Sequence, residues 1–116
     1  MAERLMQGVK RRLTLYGFGI FSMRIVTFRD KRLKRYFLEG DQAGLSPLLV
    51  RKLRAIFTYL ELMKDEKDLE NMPHWRPPRL SGEFQGYWSL TLTRNWRLIF
   101  QIEDKAVVNI DLIDYH

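Results

Sequence analysis

The sequence predicts an α+β domain in which two helices pack on one face of an antiparallel sheet. Three observations carry that prediction. Apolar residues recur every three or four positions from Leu49 to Met63, they alternate with a period of two from Trp88 to Leu112, and Pro73, Pro77 and Pro78 separate the two regimes.

The elements follow in order. Met23-Arg24-Ile25-Val26-Thr27-Phe28 reads as a short strand. Asp30 can cap a short helix with Leu33, Tyr36 and Phe37 at helical spacing and Lys31, Arg32, Lys34 and Arg35 covering the rest, and Glu39-Gly40-Asp41 ends it. Ser46-Pro47 is an N-cap followed by proline at the first helical position. Leu49, Leu53, Ile56, Phe57, Leu60 and Met63 then form one apolar stripe, the longest helix. The prolines forbid helix through residues 72–80, leaving a rigid loop that displays His74, Trp75, Arg76 and Arg79. Trp88, Leu90 and Leu92 make one arm of a hairpin that turns at Thr93-Arg94-Asn95, and Trp96, Leu98, Phe100 and Ile102 make the other. After a turn at Glu103-Asp104-Lys105, Val108, Ile110 and Leu112 continue the alternation in a third strand that runs to Asp114-Tyr115-His116. Trp88 and Trp96 fall in the apolar row and are expected in the core.

Composition bounds the function. A chain of 116 residues, 46% hydrophobic and 29% charged, is one globular domain able to bury a core. The absence of cysteine excludes a disulfide framework, a thiolate nucleophile and cysteine-ligated zinc, and suits a reducing cytosol. Two histidines leave little for a metal centre. The net charge of +6 points to a polyanionic partner, and residues 23–56 hold nine cations against three acids. Met1 to Ser22 has a cationic start and an apolar run from Leu13 to Phe21, but no small-x-small cleavage site follows. The run is also far short of the roughly 20 apolar residues that span a bilayer. Secretion and membrane insertion are not expected, and residues 1–22 read as an appended arm or as the product of an early start codon.

The strings Phe28-Arg29-Asp30-Lys31-Arg32-Leu33, Leu80-Ser81-Gly82, Gly86-Tyr87-Trp88-Ser89, Asn95-Trp96-Arg97-Leu98-Ile99-Phe100 and the terminal Asp114-Tyr115-His116, in this order and spacing, resemble the HigB toxins of the RelE-like superfamily. The likeness covers residues 23–116 and sets residues 1–22 apart. It implies a RelE-like fold, an antiparallel-dominated twisted sheet with two N-terminal helices on one face. It implies a toxin of a type II toxin-antitoxin system, a ribosome-dependent mRNA endonuclease that inhibits translation in the cytoplasm. The partners implied are a helix-turn-helix antitoxin of the HigA type, the ribosomal decoding site and mRNA, with operator DNA reached only through the antitoxin.

The chemistry so implied needs neither metal nor cofactor: the ribose 2′-hydroxyl attacks the adjacent phosphate. That step asks for a base, a cation on the phosphorane and an acid for the leaving oxygen. Arg97 suits the phosphate, since its fork grips two oxygens and strand parity sets it opposite Trp96, Leu98 and Phe100. His116 can move a proton, Tyr115 can stack or hydrogen-bond, and Asp114 can orient either ring. The ordinary alternatives are a sheet-surface arginine and a solvated C-terminus. Lys31, Arg32, Lys34 and Arg35 are expected to track phosphates, together with Arg76, Arg79 and Arg94, and Trp75 and Tyr87 are candidates for stacking on bases. Aligned on Gly82 and Gly86-Tyr87-Trp88-Ser89, the family's common loop histidine falls on Pro78 and its common lysine on Ser81. The family's arginine before the hairpin turn falls where this chain has Thr91 and Thr93, and His74 stands off the usual histidine position. Two other functions fit the same residues: a catalytically silent RNA- or ribosome-binding module, and a domain whose only role is to pair with an antitoxin.

Overall fold

A computed structural model describes residues 23–71 and 84–114. The expectations for residues 1–22, for the proline loop with His74, Trp75, Arg76, Pro78, Arg79 and Ser81, and for Tyr115 and His116 lie outside the described residues. In chain order the elements are strand β1 (Arg24–Ile25), helices α1 (Lys31–Glu39) and α2 (Pro47–Leu62), a 3-10 helix (Glu66–Asn71), and strands β2 (Trp88–Thr91), β3 (Trp96–Glu103) and β4 (Ala106–Asp114).

Both helices begin where their caps require. The Asp30 carboxylate accepts hydrogen bonds from the Arg32 and Leu33 amides at 2.8 and 3.1 Å, satisfying donors that the first turn leaves open. Gly40 ends α1 in the left-handed region at φ 74°, a conformation in which glycine carries no Cβ penalty. There its amide donates to the Tyr36 carbonyl, the 5→1 bond of an αL cap, while the Asp41 amide reaches the carbonyl of Arg35. The Ser46 hydroxyl accepts from the Leu49 amide, with Pro47 first in α2. Leu49, Val50, Leu53, Ile56, Phe57 and Leu60 are the buried stripe of α2. Phe57 meets Phe28 and Phe37 with ring centroids 6.2 and 5.3 Å apart, so one aromatic cluster ties the segment after β1 to both helices.

The sheet order is β1-β4-β3-β2. The β2–β3 and β3–β4 pairs are antiparallel, as the hairpin spacing predicts. The first strand departs from that expectation: β1 lies parallel to β4, so the sheet is mixed. It is also shorter than the six-residue string suggested, because pairing stops after Ile25↔Val107 and resumes only as a single bridge between Phe28 and Ile110. Trp88, Leu90, Leu98, Phe100, Val107, Ile110 and Leu112 face the helices and complete the core with Leu33, Leu53, Ile56 and Leu60. Each fully buried side chain of this size contributes about 1.5–3 kcal/mol.

A bulge corrects the predicted third strand. From Ile99↔Asp111 to Gln101↔Val108, β3 advances two residues while β4 retreats three. The extra residue is Asn109, at φ 55°, whose amide donates to Thr27 Oγ1 at 2.8 Å and whose side-chain amide donates to Gln101 at 2.6 Å. Parity flips there, so Val107 is the buried residue and Val108 is only half-buried. Trp96, expected in the core, is also only half-buried and sits at its margin, whereas Trp88 is buried and donates its indole N–H to Glu66 at 2.8 Å.

Candidate active-site face

The sheet's second face, away from the helices, carries the candidate chemistry. Register puts Thr91, Arg97 and Ile113 in one row across β2, β3 and β4, and Ser89, Ile99 and Asp111 in the next. Tyr87 falls on this face as well, since Trp88 after it turns into the core. Ile99 and Tyr87 are buried without belonging to the helix-side core, and Ser89 is 5% exposed. Arg97 thus occupies the face that its parity predicts.

Its guanidinium is not extended into solvent. Nη1 donates to the carbonyls of Thr93 at 3.1 Å and Arg94 at 3.4 Å, folding the side chain back onto the β2–β3 turn. Carbonyls on Nη1 fix the plane of the fork, and a guanidinium so oriented has the donor geometry that phosphate oxygens accept. Asp114 is exposed at the end of β4, paired in register with Trp96 and next to Ile113 opposite Arg97. Arg94 is exposed at the turn itself.

The basic helix divides in two. Lys31, Lys34 and Arg35 are exposed, and Arg35 comes within 3.7 Å of Asp41. Arg32 is held as a latch: it bridges Asp30 at 2.8 Å, donates to the Gly44 carbonyl at 3.4 Å and lies over the Trp96 ring at 5.7 Å. Burial alone would push the Asp30 carboxyl up. The hydrogen bonds from the Arg32 side chain and from the Leu33 and Arg32 amides outweigh it and hold the group below its ordinary value.

Sequence reasoning gave no role to Arg29 or Asp111. The Arg29 and Asp30 amides both donate to the Ile110 carbonyl, at 2.7 and 3.4 Å, which sets Arg29 beside Asp111. The exposed Arg29 guanidinium donates to the Tyr87 hydroxyl at 3.3 Å. That hydroxyl, with the charge of Asp111, raises the Arg29 guanidinium pKa further above its usual value. The Tyr87 ring offered for base stacking is therefore buried, packed edge-on against Phe84 at 5.9 Å, with its hydroxyl turned to Arg29. The cue was Arg29 inside the Phe28 to Leu33 string, yet its partner stands 58 residues away. Among the described residues, no helix is long and apolar enough to cross a membrane.

The model of the RelE-like toxins of the type II toxin-antitoxin system HigB matches residues 26–116. The chain is 28% identical over 92 residues to "Endoribonuclease HigB" of Proteus vulgaris, covering 79% of this chain and 99% of that protein. It is 31% identical over 85 residues to "Toxin HigB-1" of Vibrio cholerae, covering 71% and 87%. Among solved structures, a single-residue mutant of YafQ from E. coli superposes with a TM-score of 0.50 at 18% identity, covering 79% of this chain and 93% of that one, a likeness of fold. With the family model spanning every described element from Val26 onward, this chain belongs to the HigB-like family of RelE-like toxins of type II toxin-antitoxin systems.

Proposed function

We propose that this toxin cuts mRNA in the ribosomal decoding site by metal-free attack of a ribose 2′-hydroxyl on the adjacent phosphate. The endoribonuclease activity rests on the family and on the relatives that carry that name. The observation that carries the finer reading is Arg97: a guanidinium on the sheet face away from the core, braced by the Thr93 and Arg94 carbonyls. In that position it stabilises charge on the phosphorane without reorganising during the reaction. Asp114 brings a carboxylate to the end of the strand that leads into Tyr115 and His116. His116 moves the proton and Tyr115 holds the substrate by stacking or hydrogen bonding. Lys31, Lys34 and Arg35, with Arg76, Arg79 and Arg94, grip RNA phosphates without reading sequence, whereas Arg32 acts through Asp30 and Trp96.

A protein with so few proton-transfer groups relies on the ribosome to position its substrate, and it works in the cytoplasm where ribosomes translate. Its inhibitor is a helix-turn-helix antitoxin of the HigA type, through which operator DNA is reached. Primer extension on one mRNA, translated and naked, with and without a chelator, tests the proposal. Cuts confined to the translated mRNA and indifferent to the chelator are expected. Efficient chelator-sensitive cutting of naked RNA would overturn it, and binding to ribosomes without any cuts would favour the silent module.

A further inference from the structure

The chain at Thr27 to Asp30 runs beside β4, where the Ile110 amide donates to the Thr27 carbonyl at 3.1 Å. Tyr87 leads into β2, on the far side of β3. A hydrogen bond from Arg29 to the Tyr87 hydroxyl therefore spans both central strands, and it does so over the face that carries Arg97. Two features mark Arg29 as more than a strap. It is exposed although Tyr87 beneath it is buried, and among the described residues its side-chain hydrogen bond goes to one neutral hydroxyl, whereas a guanidinium carries five N–H donors. Its row lies about 7 Å or more from that of Arg97, the rise of two strand residues repeated along the face.

We propose that Arg29 is a second substrate-phosphate contact, held over the sheet by Tyr87, that grips an mRNA backbone phosphate flanking the one at Arg97. The inference rests on the endoribonuclease reading and adds to it a residue that binds rather than reacts. Arg97 acts on the charge that develops in the reaction, whereas Arg29 contacts a phosphate whose charge never changes. Its contribution is equal in ground and transition states, so it appears in half-saturation and not in the maximal rate.

The test uses the full chain and 70S ribosomes programmed with a short mRNA, under single-turnover conditions across a salt series. Arg29→Ala is expected to raise the half-saturating concentration about tenfold, as for loss of one charge-assisted hydrogen bond, with the maximal rate unchanged. The log–log salt slope should flatten by about 0.7, the value of one single-stranded phosphate contact. Arg29→Lys should recover most of the slope but less of the affinity, and Tyr87→Phe should weaken binding less than Arg29→Ala while keeping the slope. Wild-type half-saturation and slope in Arg29→Ala would overturn the proposal, as would a loss of rate that follows a fall in melting temperature. The same series on an mRNA carrying a 2′-O-methyl group at the scissile ribose reads binding alone. If wild type leaves the ordinary mRNA whole yet shows the Arg29-dependent slope on the methylated one, the nuclease reading fails and the phosphate contact stands.

Discussion

Arg97, proposed for the site, and Asp30, which caps α1, put two polar side chains to different tests. Arg97 braces the β2–β3 turn through carbonyls but contributes nothing to the helix-side core. Arg97→Ala is expected to slow mRNA cleavage by about 10²–10³-fold, as for loss of a preorganised electrostatic contact. The accompanying loss of stability should be no more than about 1 kcal/mol. Primer extension beside thermal melting separates the two effects, and unchanged cleavage would remove Arg97 from the site. Asp30 belongs to the fold, and its carboxyl is held below the ordinary value of 3.8. A lowered folded-state pKa means that the stabilisation is complete above about pH 4 and is lost as pH falls through the lowered value. Asp30→Ala should cost about 1–2 kcal/mol near neutrality, with the gap to wild type closing in strong acid. Urea midpoints from pH 2 to 7 measure it, and a pH-independent gap would assign the effect to packing instead.

At the scale of elements, the β3–β4 turn is the clearest case of backbone strain. Asp104 and Lys105 have φ of 50° and 60°, the two positive values of a type I′ hairpin. That turn favours glycine at its second position, and Lys105 occupies it with a Cβ. Lys105→Gly should raise stability by about 0.5–1 kcal/mol even though the exposed bond from its ammonium to the Lys64 carbonyl is lost. A lower urea midpoint in the variant would show that this bond outweighs the strain. The end of β4 gives the opposite expectation. The apolar row ends at Leu112 and half-buried Ile113, so deleting Tyr115 and His116 should leave the melting temperature near wild type and silence cleavage. Lost melting temperature with activity tracking the folded fraction would instead make the ending structural.

For the whole molecule, the charge is uneven along the chain. Residues 23–56 carry nine of the twenty cations, and three of these, Lys31, Lys34 and Arg35, stand exposed on α1. Exchanging all three for glutamine should flatten the salt slope of ribosome association by about 2 to 3. Folding stability should stay within about 0.5 kcal/mol of wild type. An unchanged slope would show that the ribosome meets another surface.

What the sequence determined by itself was whatever a few neighbouring residues decide. Asp30, Gly40, Ser46 and Pro47 bound the helices because caps act within one turn, and the α2 stripe and the alternation of β2 and β3 are periodic properties of single segments. The face of Arg97 was legible for the same reason, since its parity is set by Trp96 and Leu98 beside it. Tertiary structure alone decided the rest. The parallel docking of β1 on β4 joins residues about eighty positions apart, for which no local pattern exists. The bulge at Asn109 depends on a hydroxyl brought over by Thr27 and an amide oxygen from Gln101, so Val108 read as inward until those partners arrived. Arg32 counted as one of four equivalent cations until Trp96 and Asp30 enclosed it. Arg29 and Tyr87 acquire a shared role only because the sheet order sets their side chains to meet across two strands, a long-range arrangement that side-chain chemistry at either position does not encode.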